Sequence, residues 1–390
     1  MKKRTVAVVT GSRADYGHLY WLMRAIQEDS RLQLQVLVTG SHLSGQFGMT
    51  YRKIIKDDFK ITAKIPILDA DNSSMGITAS IGRGCNLFGK LFKKNPPDVV
   101  VVLGDRYEIF AAAIAAHIAK IPLMHLHGGE LTRGAIDEAI RHSITKMALF
   151  HCTATPEYRR RVIQLGETPE YVFCMGTPGL DHIYRVNFLS KKQLAEKLVL
   201  DLSKPVLLVT YHPVTLDKES PSKQIKEILA AITSSGYSAV FTKANADPEG
   251  MLINKMIAKF CHRHPQKYKL FDNLGQPLYY SCLKHLSMMI GNSSSGLVEA
   301  PSFHMPVINI GDRQRDRIKA SNVMDVVCCQ QDILNAIRKA VHPDFRRRLQ
   351  GSKNPYDRYA DGKTSWRIKE ILRTVPLGED LIKKKFFDMR

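Results

Sequence analysis

Asp98-Val99-Val100-Val101-Val102-Leu103-Gly104-Asp105-Arg106 is the stretch on which the fold turns. Five successive aliphatic side chains without polar alternation describe a strand buried on both faces, as in a parallel sheet covered by helices. Charged residues follow at once, at the carboxyl end, where open parallel sheets bind ligands. Working outward, strands are expected at Thr5–Thr10, Gln33–Thr39, Leu123–Leu126, Leu149–Thr153 and Tyr171–Cys174. Helical spacing runs through Tyr16–Glu28, Tyr107–Ala119, Ile136–Met147 and Pro156–Gln164. Strands alternating with helices give an α/β protein.

The pattern breaks over Thr177–Pro205, where Pro178-Gly179 opens a polar stretch, and Val206-Leu207-Leu208-Val209-Thr210 restarts it. Further strands are expected at Ala239–Thr242, Lys269–Phe271, Met288–Ile290 and Val307–Ile310. Helices are expected between them at Ser222–Thr233, Met251–His262, Leu278–Leu283 and Leu297–Ser302. The expectation is two Rossmann-like domains, residues 1–180 and 181–375, whose parallel sheets face each other across a cleft. Asp332–Ala340 and Trp366–Arg373 read as helices, and residues 376–390 as a basic tail with a frayed end at Asp380–Arg390.

An apolar fraction of 44% and a charged fraction of 24% are those of a globular chain. No run approaches the roughly 18 apolar residues that cross a bilayer, and Val6–Val9 is too short for a signal-peptide core, so a cytoplasmic protein without a membrane partner is expected. Seven cysteines, an odd number without paired metal-type spacing, read as reduced thiols. The net charge of +20 points to an anionic partner. The basic clusters Arg159-Arg160-Arg161, Arg346-Arg347-Arg348 and Lys383-Lys384-Lys385 lack interleaved aromatics, which favours a phosphorylated small molecule over nucleic acid.

Residues just past the strands supply the chemistry. Gly11-Ser12-Arg13-Ala14-Asp15-Tyr16-Gly17 offers glycines for close approach and, in Arg13, a phosphate-binding side chain, but not the dinucleotide Gly-x-Gly-x-x-Gly spacing. Asp105, Glu130 and Asp137 put three acids on one rim, close enough to push their pKa values apart into an acid and a base. Asp137 also suits a plain helix N-terminus. His125 and His127, two apart on a strand, have the spacing of a metal pair, yet no further His or Cys supports one. Tyr211-His212-Pro213 ends one strand of the second half. Gly291-Asn292-Ser293-Ser294-Ser295-Gly296 opens a helix whose N–H groups suit a diphosphate, with Glu299 placed for ribose hydroxyls. Lys243 and Asn245 lie where they would complete a nucleotide pocket.

Taken in order, Gly11–Gly17, Leu103–Glu108, Leu126–Glu130 with Asp137–His142, Tyr211-His212-Pro213, Asn245-Ala246-Asp247 and Gly291–Gly296 with Glu299-Ala300-Pro301 resemble the hydrolysing UDP-N-acetylglucosamine 2-epimerases of the bacterial sialic-acid and legionaminic-acid type. The resemblance reaches about Arg373. It implies a glycosyltransferase-B-like fold with a C-terminal helix crossing back to the first domain, a homodimer or homotetramer, and no metal or other cofactor. It also implies acid-base roles for Asp105, Glu130 and Asp137, diphosphate contacts from Arg13 and His212, and UDP held by Ser293, Ser294 and Glu299. Ser12-Arg13-Ala14-Asp15 and His127-Gly128-Gly129-Glu130 stand where the non-hydrolysing relatives carry Thr-Arg-Pro-Glu and His-Val-Glu-Ala-Gly, which points to hydrolysis. The expected reaction turns UDP-N-acetylglucosamine and water into N-acetylmannosamine and UDP through a glycal. The alternatives are the same chemistry on UDP-2,4-diacetamido-2,4,6-trideoxyglucose and, more distantly, glycosyl transfer.

Overall fold

The computed structural model describes residues 3–71, 73–132, 136–213, 220–244, 248–378 and 383–389. The chain divides into two compact units: Met1–Leu131, Ala135–Tyr184 and Tyr356–Arg390 form the first, and Thr132–Gly134 with Arg185–Pro355 the second. The second unit thus closes at Pro355 rather than near residue 375, and the final segment belongs to the first.

In the first unit the strands are β1 (Arg4–Thr10), β2 (Leu32–Thr39), β3 (Ile61–Ile65), β4 (Val99–Leu103), β5 (Leu123–Leu126), β6 (Phe150–Thr153) and β7 (Val172–Cys174). They form one parallel sheet in the order β3-β2-β1-β4-β5-β6-β7. Burial on both faces is literal here. Val6 and Val8 of β1 join Val99, Val101 and Leu103 of β4 in one apolar layer, while Ala7, Val9, Val100 and Val102 enter the other. The first layer is completed from the far end of the chain by Ile368 and Leu372, on the helix Thr364–Thr374, and by Val375 just beyond it.

In the second unit β8 (Val206–Thr210), β9 (Ser238–Thr242), β10 (Tyr268–Phe271), β11 (Met288–Gly291), β12 (Val307–Ile310) and β13 (Val323–Val326) form a parallel sheet in the order β10-β9-β8-β11-β12-β13. In both sheets the direction of succession reverses once, between β1 and β4 and between β8 and β11. Such reversals open a crevice beyond the strand ends. The loops after those four strands are the ones the sequence marked.

Three expectations change. The helix Ser74–Lys94 and the edge strands β3 and β13 are additional elements. The helix expected over Leu297–Ser302 is a single α-turn, Ser295–Val298, followed by a 3-10 turn, Ala300–Phe303. Pro301 has no N–H to continue an α-helical ladder, so the helix stops there. Residues 383–389 are held to the first unit: Lys384 reaches the buried Glu167 carboxylate, and the Phe387 N–H donates to the Gly166 carbonyl at 3.0 Å.

Candidate functional site

At the β1/β4 reversal of the first unit, the buried acids Asp15 and Glu108 meet the more exposed Arg106. Gly11 lies so near Glu108 that a Cβ there would be 2.5 Å from its Cγ, so only glycine lets the loop down onto the helix Tyr107–Ile118. Arg106 Nε donates to Glu108 Oε1 at 2.5 Å. Asp15 accepts from the Gly11 N–H at 3.1 Å and from Ser12 Oγ at 2.8 Å. Burial pushes the Asp15 and Glu108 carboxyls up, and the Arg106 charge opposes it at both. Arg13 opens the helix Arg13–Gln27 with its side chain exposed beside this cluster.

The acids gather on Arg141. Its Nη2 is paired with Asp105 Oδ2, and its Nη1 donates to the His127 carbonyl at 3.2 Å and lies 3.9 Å from Glu130 Oε2. Arg141 is buried and stands one turn along the helix Asp137–Met147 from Asp137, so that helix delivers both the guanidinium and the third acid. Burial raises the Asp137 carboxyl, the Asp105 charge raises it further, and Arg106 and Arg141 pull the other way. Glu130 is only 2% exposed and accepts from His127 Nδ1, 2.8 Å from its Oε1. The rim therefore holds one carboxylate under a guanidinium, one engaged with an imidazole, and one whose surroundings favour the neutral acid.

His125 in β5 and His127 just beyond it part company. His125 spends both ring nitrogens, Nδ1 on Thr145 Oγ1 at 3.0 Å and Nε2 on the Gly104 carbonyl at 2.8 Å, and burial lowers it to about 3. It ties the helix Asp137–Met147 to the end of β4. His127 has φ +66°, which ends the strand alternation that would have put it on the face of His125. No cluster of three or more metal-binding side chains occurs among the described residues.

In the second unit, β11 ends at Gly291, whose φ is +136° and where a Cβ would lie 1.8 Å from the Thr210 carbonyl oxygen. Asn292, fully buried, then extends the pairing with its side chain: Oδ1 accepts from the His212 N–H and Nδ2 donates to the His212 carbonyl, each at 2.8 Å. The Asn292 carbonyl in turn accepts from Arg313 Nη1 and Gln314 Nε2, both at 3.0 Å. His212 is thereby fixed beside the loop Ser293-Ser294-Ser295-Gly296. Glu299 sits at the junction of the two short turns, its carboxyl raised by burial and steadied by Ser295. Lys243 pairs at the surface with Asp272, 2.5 Å away. Asn245 lies outside the described residues.

Asp105, Glu130 and Asp137 thus share Arg141, and His212 and Ser293–Gly296 share Asn292. The sequence reading did not anticipate Arg141, Asn292, Arg313 or the Arg106–Glu108 pair as organising groups. Only the His127–Glu130 pair carried a local signal, its three-residue spacing.

Among the described residues, no helix is long and apolar enough to cross a membrane. The profile of the family described as UDP-N-acetylglucosamine 2-epimerase matches residues 24–373. A Campylobacter jejuni protein named GDP/UDP-N,N'-diacetylbacillosamine 2-epimerase (hydrolyzing) is 44% identical over 347 residues, 89% of this chain and 90% of its own. The polysialic acid biosynthesis protein P7 of Escherichia coli is 38% identical over 100% of this chain and 97% of its own. The UDP-N,N'-diacetylbacillosamine 2-epimerase (hydrolyzing) of Legionella pneumophila is 35% identical over 98% of each. In fold, the chain resembles the UDP-GlcNAc 2-epimerase of Neisseria meningitidis bound to UDP-GlcNAc, with a TM-score of 0.81 at 20% identity over 94% of this chain and 99% of that one. A Listeria monocytogenes structure described as a UDP-N-acetylglucosamine 2-epimerase gives 0.77 at 17% identity over 95% and 96%. With a profile match across most of its length and close relatives over nearly all of it, the chain belongs to the UDP-N-acetylglucosamine 2-epimerase family, among the hydrolysing enzymes of that group.

Proposed function

We propose that this enzyme inverts C2 of UDP-N,N'-diacetylbacillosamine, a UDP-2,4-diacetamido-2,4,6-trideoxyglucose, and releases UDP and the free manno-configured sugar. The observation that carries this substrate is the 44% identity to the C. jejuni enzyme over 89% of the chain, with the L. pneumophila enzyme of like name beside it. UDP-N-acetylglucosamine, the first choice from sequence, is kept as a second reading because the polysialic acid biosynthesis protein is similar along the whole chain. The setting that goes with either is a cytoplasmic homodimer or homotetramer with no metal or redox cofactor.

In the proposed mechanism Asp105, oriented by Arg141, takes the C2 proton while the C1–O bond breaks and the electron pair leaves with UDP. The C2 proton is a poor acid, so the barrier falls mainly by stabilising the departing diphosphate. Arg13, His212 and Ser293–Gly296 are the groups assigned to that task, Glu299 is assigned to the ribose, and Lys243 and Asn245 are assigned to the nucleotide. A helix of a single turn contributes little dipole, so the N–H and hydroxyl donors of the serine loop matter more than its axis. Water then adds to the glycal, its oxygen to C1, while Asp137, whose protonated form burial favours, gives its proton to C2 from the opposite face.

The test is a proton NMR time course in heavy water with each UDP-sugar. Release of UDP with a manno sugar deuterated at C2, at least tenfold faster from the diacetamido substrate, is the expected result. Faster turnover of UDP-N-acetylglucosamine would reverse the order of the readings. Intact, undeuterated sugar nucleotide in both tubes would end both.

A further inference from the structure

His127 and its partner Glu130 are left without a task by the mechanism above, and four observations single out His127. Its backbone is left-handed, at φ +66°, a conformation that side chains rarely adopt unless the surroundings hold it there. Those surroundings are visible: its N–H donates to the Cys152 carbonyl at 3.1 Å and its carbonyl accepts from Arg141 at 3.2 Å. Its Nδ1 is 2.8 Å from the buried Glu130 Oε1, which fixes the proton on Nδ1 and leaves Nε2 as an acceptor. Nε2 is closed off from solvent and has no hydrogen-bond partner among the described residues, in a side chain only 11% exposed. An oriented imidazole with a spare buried lone pair, beside the acids of a site, is a group set to receive a proton.

The proposed reaction leaves one proton without an acceptor. Asp105 takes the C2 proton in the elimination, and Asp137 gives one to C2 in the hydration. The proton that water loses as its oxygen bonds to C1 has no assigned destination. We infer that His127 Nε2 is the base that takes this proton during hydration of the glycal, and that Glu130 is its positioning residue. In that step the water oxygen forms the bond to C1, the C1–C2 π pair takes the Asp137 proton at C2, and the water proton passes to Nε2. The resulting imidazolium faces the Glu130 carboxyl group. Returning His127, Asp105 and Asp137 to their starting states through solvent releases two protons and takes up one, which matches the single proton lost when a UDP-sugar becomes UDP. The inference rests on the elimination–hydration reading.

His127→Asn tests it within the whole enzyme. Asparagine tolerates the left-handed backbone and its amide can still donate to Glu130, so the variant removes Nε2 and little else. In single turnover with the diacetamido UDP-sugar, UDP release stays within about tenfold of the parent enzyme. The unsaturated sugar accumulates, and its hydration falls by about a hundredfold or more, the usual contribution of a positioned base. Hydration at the parent rate, or an equal loss of both steps, would overturn the inference. Glu130→Gln slows hydration in the parent but less than about twofold in the His127→Asn background, as expected of a residue that acts through another; full additivity would refute its positioning role. Should His127→Asn fail to fold, His127→Gly relaxes the backbone and leaves room for free imidazole. Added imidazole then restores hydration, and no restoration in a folded variant counts against the ring as base. The parent enzyme, run alongside, separates the two claims: if it releases no UDP, the reaction is misassigned and not His127.

Discussion

A carboxyl group serves as an acid only while it keeps its proton, and Asp137 is the member of the cluster whose surroundings favour that. Burial and the nearby Asp105 both disfavour its charge, and Arg106 and Arg141 only partly compensate. The direction sets the pH dependence. As pH rises through the raised pKa the acid is lost, so turnover in the proposed mechanism declines on its basic limb from a pH above the usual carboxyl range. Asp137→Asn lowers turnover by about a hundredfold or more and removes that limb, as a pH–rate profile would record. A limb that persists in the variant would assign the titration to another group. These three acids were legible because each follows a strand or opens a helix, where local sequence announces exposure to a ligand. Their partners were not. Arg141 meets Asp105 across 36 positions and Asn292 meets His212 across 80, so only the sheet order brings them together.

At the scale of elements, the sequence pattern worked where burial is complete and failed where it is partial. Val99–Leu103 is buried on both faces and reads unambiguously, whereas β3, at a sheet edge, alternates over only five residues, of which Ile65 alone is buried. The helix Ser74–Lys94 was hidden by its glycines, which weaken helical propensity. One of them is there for packing: a Cβ on Gly84 would lie 2.7 Å from the Ala111 Cβ, so the two helices approach too closely for a larger residue. The tail misled for another reason, since a run of lysines resembles a solvated end until a buried acid receives one. Burial pushes Glu167 up, but hydrogen bonds from His151, Lys146 and Lys384 outweigh it and hold the carboxyl at about 2. A depressed carboxyl contributes stability that is full above its unfolded value of 4.5 and is lost as pH falls through about 2. Lys384→Met therefore destabilises the protein at pH 7 by about 1–3 kcal/mol, the usual effect of taking a partner from a buried charged group. Urea unfolding checks it. The gap from the parent narrows as pH is lowered from 4.5 toward 2, and equal stability at pH 7 would mean that the tail is merely resting there.

For the whole molecule, the consequence of the topology is that the first unit is made from both ends of the chain. Residues 185–355 are inserted into it, and the strand order within each unit gives no hint of this. The closing segment is structural: Ile368 and Leu372 are fully buried in the core beside β1 and β4. The buried Asp181 carboxylate accepts from the N–H groups of Thr364 at 3.0 Å and Ser365 at 2.7 Å. Removing two such side chains from a core forfeits roughly 1.5–3 kcal/mol each. Losing the donors to Asp181 as well brings the total close to the 5–15 kcal/mol that holds a typical domain together. A fragment of residues 1–184 should therefore fail to fold. The ends of the insertion are close, because Tyr184 Oη donates to Asp357 Oδ2 at 2.6 Å and the Thr177 N–H donates to the Tyr356 carbonyl at 2.9 Å. Joining Tyr184 to Tyr356 through a flexible linker of about six residues should restore a unit that unfolds cooperatively in urea. It would carry Asp105, Glu130, Asp137 and His127 but lack His212, the serine loop and Glu299, so under the proposed mechanism it should turn over no UDP-sugar. Cooperative unfolding of residues 1–184 alone, with the stability of the joined form, would show that the C-terminal helix is an accessory and not part of the core.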